Sequence, residues 1–271
     1  MTLEVLLSCM HQKDFSLVES SLLTGDVLII NQCDREDFAR IPTKTGTARM
    51  FSTRERGLTR SRNMAIEKSH ADVCLLCDDD EVFVPDYEKI ITEAYEKLPK
   101  ADVIVFNMTN RPASLGNRVR QLHFPYTCRV SSWQISFRRQ SLLRSGVRFD
   151  TLLGAGTGNG GEEELKFLTD CRRAGLSIYY VPEAIASVAQ EVSTWFHGYT
   201  QTYFENRGAT TRYILGLPLA FVYAVYYAVS KRSLYTLSPW QAFKATCRGM
   251  KGNRIGKLAR SLPGKAGDEK P

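Results

Sequence analysis

Val73-Cys74-Leu75-Leu76-Cys77-Asp78-Asp79-Asp80-Glu81 is the stretch whose reading decides the fold. Its first five residues are apolar or thiol-bearing and include no turn former, the pattern of a strand buried on both faces. Four acids follow at its carboxyl end, where open α/β sheets bind ligands. Adjacent carboxylates repel one another unless something positive sits among them. A hard divalent cation meets that need, and a Mg²⁺ or Mn²⁺ site of this kind also recruits substrate phosphates. Asp78 and Asp80 form an Asp-x-Asp pair. The plain alternative is a solvated acidic turn that caps the next helix.

Outward from this stretch, strand and helix patterns alternate. Upstream, Leu3 to Ser8 reads as a strand, and Asp14 is placed to cap a helix from Phe15 to Leu23 that Gly25 ends. Val27 to Ile30 is a second apolar strand, ending in the polar cluster Asn31-Gln32-Cys33-Asp34, a ligand contact or a turn. Ala48 to Phe51 reads as a third strand, and Gly57 precedes a helix from Leu58 to Lys68. The β-α-β-α-β order predicts a parallel sheet with right-handed crossovers. Downstream, Pro85 and Asp86 open a helix through Lys97, and Val103 to Phe106 is another strand. Asn107 to Tyr126 reads as a long irregular excursion. Trp133 to Phe137 alternates, as a half-exposed antiparallel strand would. The glycine run from Gly154 to Gly161 lacks the preceding strand of a dinucleotide fingerprint, and Glu162-Glu163-Glu164 directly after it would repel anions. A mobile loop feeding a helix is the better reading, with the three acids in the helix's first turn. There they complement its dipole, or one of them serves as a catalytic base.

Gly57-Leu58-Thr59-Arg60-Ser61-Arg62-Asn63-Met64-Ala65-Ile66 resembles the Gly-x-x-x-Ala-Arg-Asn helix of the family 2 glycosyltransferases, which have the GT-A fold. The family's strand and acidic motif follow as Asp78-Asp79-Asp80-Glu81. Its Glu-Asp motif, twelve residues before a helix-ending glycine, matches Glu163-Glu164 counted back from Gly175, and Tyr180-Val181-Pro182-Glu183 resembles its strand-Pro-acid sequence. The likeness runs from about Leu3 to Arg207. It implies an α/β catalytic domain over 1–207 that transfers a sugar from a nucleotide donor, expected to be UDP-linked, with inversion at the anomeric carbon. It further implies that Asp78 and Asp80 hold a Mn²⁺ or Mg²⁺ ion. Glu164 is implied as the base that deprotonates the acceptor hydroxyl, with Glu163 as its partner. Asp34, Arg62, Asn63 and Asp79 are implied at the donor site. The chain departs from the pattern in three places. Asn31-Gln32-Cys33-Asp34 replaces Asp-Asp-Gly-Ser, so base recognition falls to Asp34. Glu162 makes the register of the Glu-Glu pair ambiguous. Ser187-Val188-Ala189-Gln190 stands where relatives carry a metal-binding His, with His197 read as an ordinary surface residue.

The remainder differs in kind. Ser193 is placed to cap a helix with an aromatic stripe of Trp195, Phe196, Tyr199, Tyr203 and Phe204, either core or an acceptor-stacking surface. Tyr213 to Val229 is seventeen residues without a charge, interrupted by Gly216 and Pro218 and short for a membrane span. Beyond Ser230 stand ten Lys and Arg against Asp268 and Glu269. The net charge of +7 therefore concentrates in a basic tail suited to an anionic surface, membrane or nucleic acid. Interleaved aromatics favour an interfacial helix on anionic lipid over a nucleic-acid surface, and monotopic attachment over spanning. Residues 208–271 are thus expected to form a helical, membrane-associating extension, with 264–271 disordered. Scattered cysteines with no zinc spacing, and no secretory h-region, place the catalytic part in the cytosol, peripheral or monotopic on the inner face of the cell membrane. The composition is that of an ordinary globular chain, with no repeats or heptads. The reading is an inverting, metal-dependent enzyme that extends a saccharide or lipid-linked acceptor for a surface polysaccharide. Its rivals are a non-catalytic assembly subunit of the same fold and a metal-dependent nucleotidyltransferase.

Overall fold

The structure is a computed structural model that describes residues 1–159, 161–189 and 198–262. Along the chain run β1 (Leu3–Met10), α1 (Ser16–Ser20), β2 (Asp26–Gln32), β3 (Asp37–Pro42), β4 (Thr47–Thr53), α2 (Leu58–Lys68) and β5 (Val73–Asp78). There follow β6 (Glu81–Phe83), α3 (Tyr87–Lys97), β7 (Val103–Met108), β8 (Arg120–Gln121), β9 (Ile135–Arg138), α4 (Arg139–Ser145), α5 (Glu163–Arg173) and β10 (Ile178–Val188). The last helices are α6 (Gln201–Ser230), α7 (Pro239–Gly252) and α8 (Arg254–Ser261). Of the described residues, 1–151 and 163–189 form one compact unit, and 152–159, 161–162 and 198–262 form another. The domain boundary expected at residue 207 lies within α6. The expected cap Ser193, the aromatics Trp195 and Phe196, and His197, like residues 264–271, lie outside the described residues.

The first unit is one sheet in the order β3-β4-β2-β1-β5-β9-β7-β10-β6, with β8 beside β10. Strands β4, β2, β1 and β5 are parallel. Their residues alternate between two apolar layers. Val5, Leu7, Val27, Ile29, Val73 and Leu75 pack with Tyr87, Ile91 and Tyr95 of α3 on one side. Leu6, Leu28, Ile30, Cys74 and Leu76 pack with Ala65 and Ile66 of α2 and Phe167 and Leu168 of α5 on the other. Burial on both faces explains why these strands read as unbroken apolar runs rather than alternating ones.

Several local expectations are corrected. Helix α1 stops at Ser20, and the turn after it uses Leu22 at φ 55° rather than Gly25. Asp14 still accepts the Ser16 amide at 2.9 Å. Strand β3 was not expected: its side chains are mostly exposed, so it carries no apolar signal, and it pairs antiparallel with β4 at the sheet edge. Strand β9 is antiparallel as predicted but is not half-exposed, because it is inserted between β5 and β7. Its polar Ser136 is buried there, satisfied by the Tyr95 hydroxyl at 2.9 Å and the Ile104 carbonyl at 3.0 Å. Trp133 sits in a 3₁₀ turn before the strand and packs on the layer opposite Ile135 and Phe137. All seven cysteines are free, and burial pushes the Cys9 thiol up to about 12.

In the second unit, α6 and α7 cross closely. A Cβ built on Gly208 would lie 2.0 Å from the Thr246 carbonyl oxygen, and one on Gly249 would lie 1.8 Å from that of Glu205. Ser238 starts α7 with a capping box, its hydroxyl accepting the Gln241 amide at 3.2 Å, and Pro239 occupies the first turn. Gly216, at φ 76° and ψ 170°, breaks α6 into two helical segments. Ala is the better helix former by about 1 kcal/mol, yet Gly249→Ala must push the two backbones apart. It is expected to destabilise by about 1–3 kcal/mol, the usual cost of overpacking. Gly252→Ala, with nothing within 4 Å of the new Cβ, is the control and is expected to be neutral or stabilising in the same thermal melts.

Candidate active site

The first unit brings three segments together at the carboxyl end of β5: the turn Asp78–Glu81, the first turns of α2, and the start of α5. The Gln32 side-chain oxygen accepts the Gly57 amide at 2.7 Å, and Gly57 itself sits at φ 117°, where a side chain is strained. This sets the entry of α2. The Ser61 hydroxyl is 2.8 Å from that of Ser8, and the next residue, Arg62, lies in the interior at 1% exposure.

The Arg62 guanidinium divides its fork between two carboxylates. Its Nη2 donates to Asp78 Oδ1 at 2.9 Å and its Nη1 to Glu163 Oε1 at 3.2 Å. Its face lies 5.4 Å from the centroid of Phe149, which stacks on Phe167 at 4.2 Å. Burial works against its charge, but Asp78 and then Glu163 more than offset this and hold it above the usual arginine range. Arg62, expected at the donor site, thus pairs with two of the protein's own acids. Asn63 is likewise engaged, its amide bracketing the Phe149 backbone at 2.8 and 2.9 Å. Asp34, by contrast, is 90% exposed at its side chain and pairs with Arg56 at 2.5 Å.

Within the acidic turn each carboxylate has a different lot. Asp78 Oδ2 accepts from the Ser132 hydroxyl at 3.1 Å, a contact the sequence reading missed. Glu81 is buried, and its Oε1 closes the turn by accepting the Asp78 amide at 2.7 Å. Its Oε2 is buried without a partner. Burial first, and then Asp78, push Glu81 well above the ordinary carboxylate range. Asp79 and Asp80 are also raised, by burial and then by the Asp78 charge. An all-oxygen donor set held up by its own repulsion fits a hard divalent cation. Among the described residues no three His, Cys, Asp or Glu side chains converge into a ready-made metal cage. Asp78 keeps a second lone pair on each oxygen beyond those given to Arg62 and Ser132.

At the start of α5, Glu163 is buried against Arg62 while Glu164 is half-buried. Glu162 was expected in the same first turn and is not in the helix. It adopts φ 66°, and its carboxylate, in the second unit, accepts from Arg207 at 2.5 Å and from the Tyr223 hydroxyl at 3.3 Å. Two acids of the run thus enter ion pairs in different units, Glu162 with Arg207 and Glu163 with Arg62.

The family model described as Glycosyl transferase family 2 matches residues 5–156, somewhat more than half of the chain. The match takes in the acidic turn and α2 and ends before Glu163. No curated protein sequence matches the chain. Among solved structures, the crystal structure of S. aureus TarS 1-349 aligns with a TM-score of 0.53 at 14% identity, covering 100% of this chain and 76% of that one. The same TarS region in complex with UDP-GlcNAc aligns at 0.57 and 12% identity over 98% and 77% of the two chains. Its complex with UDP aligns at 0.55 and 13% identity over 100% and 76%. At such identities the likeness establishes the fold, which is the expected GT-A arrangement of a mixed, mostly parallel sheet flanked by helices.

Arg62 is the test of this geometry. Arg62→Met keeps the apolar stem but leaves the Asp78 and Glu163 carboxylates without their counter-charge. Breaking a buried pair in this way is expected to cost about 3–5 kcal/mol, read as a lowered denaturation midpoint. The double variant Arg62→Met with Glu163→Gln is expected to recover part of the loss.

Proposed function

The chain belongs to glycosyl transferase family 2 and is a glycosyltransferase, and we propose that it moves a sugar from a nucleoside-diphosphate donor to a hydroxyl of a saccharide or lipid-linked acceptor, with inversion. The observation that carries this reading is the single guanidinium of Arg62 between Asp78 and Glu163. It joins the acidic turn, suited to a diphosphate and its cation, to the helix that bears the candidate base. The TarS complexes with UDP-GlcNAc and UDP support a UDP-linked donor here.

In this reading Asp80, with Asp78, would hold Mg²⁺ or Mn²⁺, which when bound supplies neutralisation of charge on the leaving diphosphate. Asp79 is exposed and Asp80 half-buried, and both carboxyls are raised by burial first and then by the Asp78 charge, the part that a cation would relieve. Glu164 takes the proton of the acceptor hydroxyl as its oxygen attacks the anomeric carbon, and the nucleoside diphosphate departs from the opposite side. Glu163 acts as a positioning residue, fixing the first turn of α5 through Arg62. Asp34, exposed at the end of the second strand's loop, remains the candidate for the base or ribose. The basic extension supports a role at the cytosolic membrane face in surface-polysaccharide synthesis.

Asp80→Asn removes a ligand and also a repulsion, so the fold is expected to survive while Mn²⁺-dependent binding of UDP, followed by calorimetry, is lost. Undiminished Mn²⁺-dependent affinity in the variant would place the cation elsewhere. Glu164→Gln is expected to lower turnover roughly a hundredfold or more, the scale of general-base assistance, with donor affinity little changed. A fully active Glu164→Gln beside an inactive Glu163→Gln would transfer the base role to Glu163.

A further inference from the structure

The second half of α6 is apolar on every side. Ala220, Tyr223, Ala224, Tyr227 and Ala228 are buried, with Ala220 and Ala224 packed in a cluster with Met250 and Phe243 of α7. The opposite side is bare: Leu217, Phe221, Val222, Val225, Tyr226 and Val229 are exposed, Val222 at 58% and Val229 at 62%. The bare face continues onto α7 through rings, since Phe221 lies 5.5 Å from Phe243, and Phe243 stacks on Trp240 at 5.8 Å. Trp240 is itself 61% exposed, and the Lys244 ammonium sits 5.0 Å from its ring. A contiguous exposed apolar face of this kind marks an interaction surface.

Charge and length choose the occupant. Lys231 and Arg232 follow directly on the bare segment, and Lys244, Arg248 and Lys251 line α7. No Asp or Glu stands between Glu205 and Asp268. A second copy meeting this face would set cations against cations, whereas an anionic bilayer neutralises them. The break at Gly216 works against spanning. The fourteen residues from Leu217 to Ser230 reach about 21 Å at 1.5 Å each, short of the ~30 Å hydrocarbon core. The half before the break carries Glu205, Arg207 and Arg212. Trp240 beside Lys244 has the amphipathic composition found at the headgroup level.

We propose that the second half of α6 lies in the plane of an anionic bilayer, its Leu217–Val229 face among the acyl chains and Trp240, Lys244, Lys231 and Arg232 at the headgroups. This deepens the membrane-surface part of the proposed function and rests on it. The test is flotation of the full-length protein with vesicles of phosphatidylcholine alone or mixed equally with phosphatidylglycerol, with UDP-sugar hydrolysis measured on the same samples. Wild type is expected to float with the mixed vesicles, to detach as salt is raised, and to be stripped from membranes by alkaline carbonate. Lys231→Gln with Arg232→Gln should weaken binding about fivefold for each charge removed. Val222→Asp with Val225→Asp, both on the bare face, should weaken it roughly tenfold or more, with donor hydrolysis retained. Binding unchanged by the Val222 and Val225 substitutions overturns the assignment of the face. Resistance to carbonate overturns the in-plane mode in favour of a span. Indifference to vesicles with a mass that doubles on concentration overturns the bilayer in favour of a second copy. If the protein hydrolyses donor but ignores vesicles, the docking proposal fails and the catalytic reading stands; if it floats as described but hydrolyses no nucleotide sugar, the reverse holds.

Discussion

The guanidinium of Arg62 carries a full charge into a place that is almost closed to water, which alone would be prohibitive. It is tolerable because Asp78 and Glu163 face it and the Phe149 ring lies against it. Each partner in turn needs Arg62. Asp78 begins a run of acids whose mutual repulsion would otherwise be unrelieved, and Glu163 would be a buried carboxylate without a counter-charge. The pair is therefore a constraint of geometry more than a source of stability, since a buried ion pair roughly repays its own desolvation. Its consequence is that α2, the end of β5 and the start of α5 hold one arrangement.

Around this interaction the acids divide their labour by environment. Glu81 is fully enclosed, its carboxyl pushed well up by burial and then by Asp78, and it closes the turn by accepting the Asp78 amide. Asp79 and Asp80 are less enclosed, Asp79 exposed and Asp80 half-buried. At α5 the same sorting separates Glu163, buried and paired, from Glu164, half-buried. Adjacent helical residues point about 100° apart, so one can serve the structure while the next serves an acceptor.

The second unit has a largely enclosed charge of its own. Arg207 is surrounded by Tyr203, Tyr223 and Tyr227, with its guanidinium 4.3 Å from the Tyr227 ring centroid, and it pairs with Glu162. Burial opposes its charge, but Glu162 and the tyrosines hold it well above the ordinary range. The pair anchors the end of the glycine-rich segment to α6, and Arg254 adds a second tie through Asn159 at 2.6 Å. This accounts for a glycine run that is unsuited to phosphates: Gly154, Gly156, Gly158 and Gly161 take positive φ so that a short loop can turn back on itself.

Local pattern in the sequence determined the strands β1, β2, β4, β5 and β7, the helices α2, α3 and α5 and the family to which they belong, because periodicity and turn chemistry are encoded within a few residues. It also placed the acids Asp78, Asp79 and Asp80 at a strand's carboxyl end and, correctly for Glu163 and Glu164 but not for Glu162, the glutamates at a helix start. It did not disclose β3, which lies bare at an edge, or the central position of β9, because neither carries its partner in its own composition. Nor did it tell where Glu162 and Glu163 would find their counter-charges, or that Arg62 and Asn63 would turn inward. Those outcomes depend on groups brought together from far along the chain: Arg62 with Glu163, Asn63 with Phe149, Glu162 with Arg207. A charge seeks its counter-charge wherever burial leaves no water to replace it, and only the tertiary structure decides where that is.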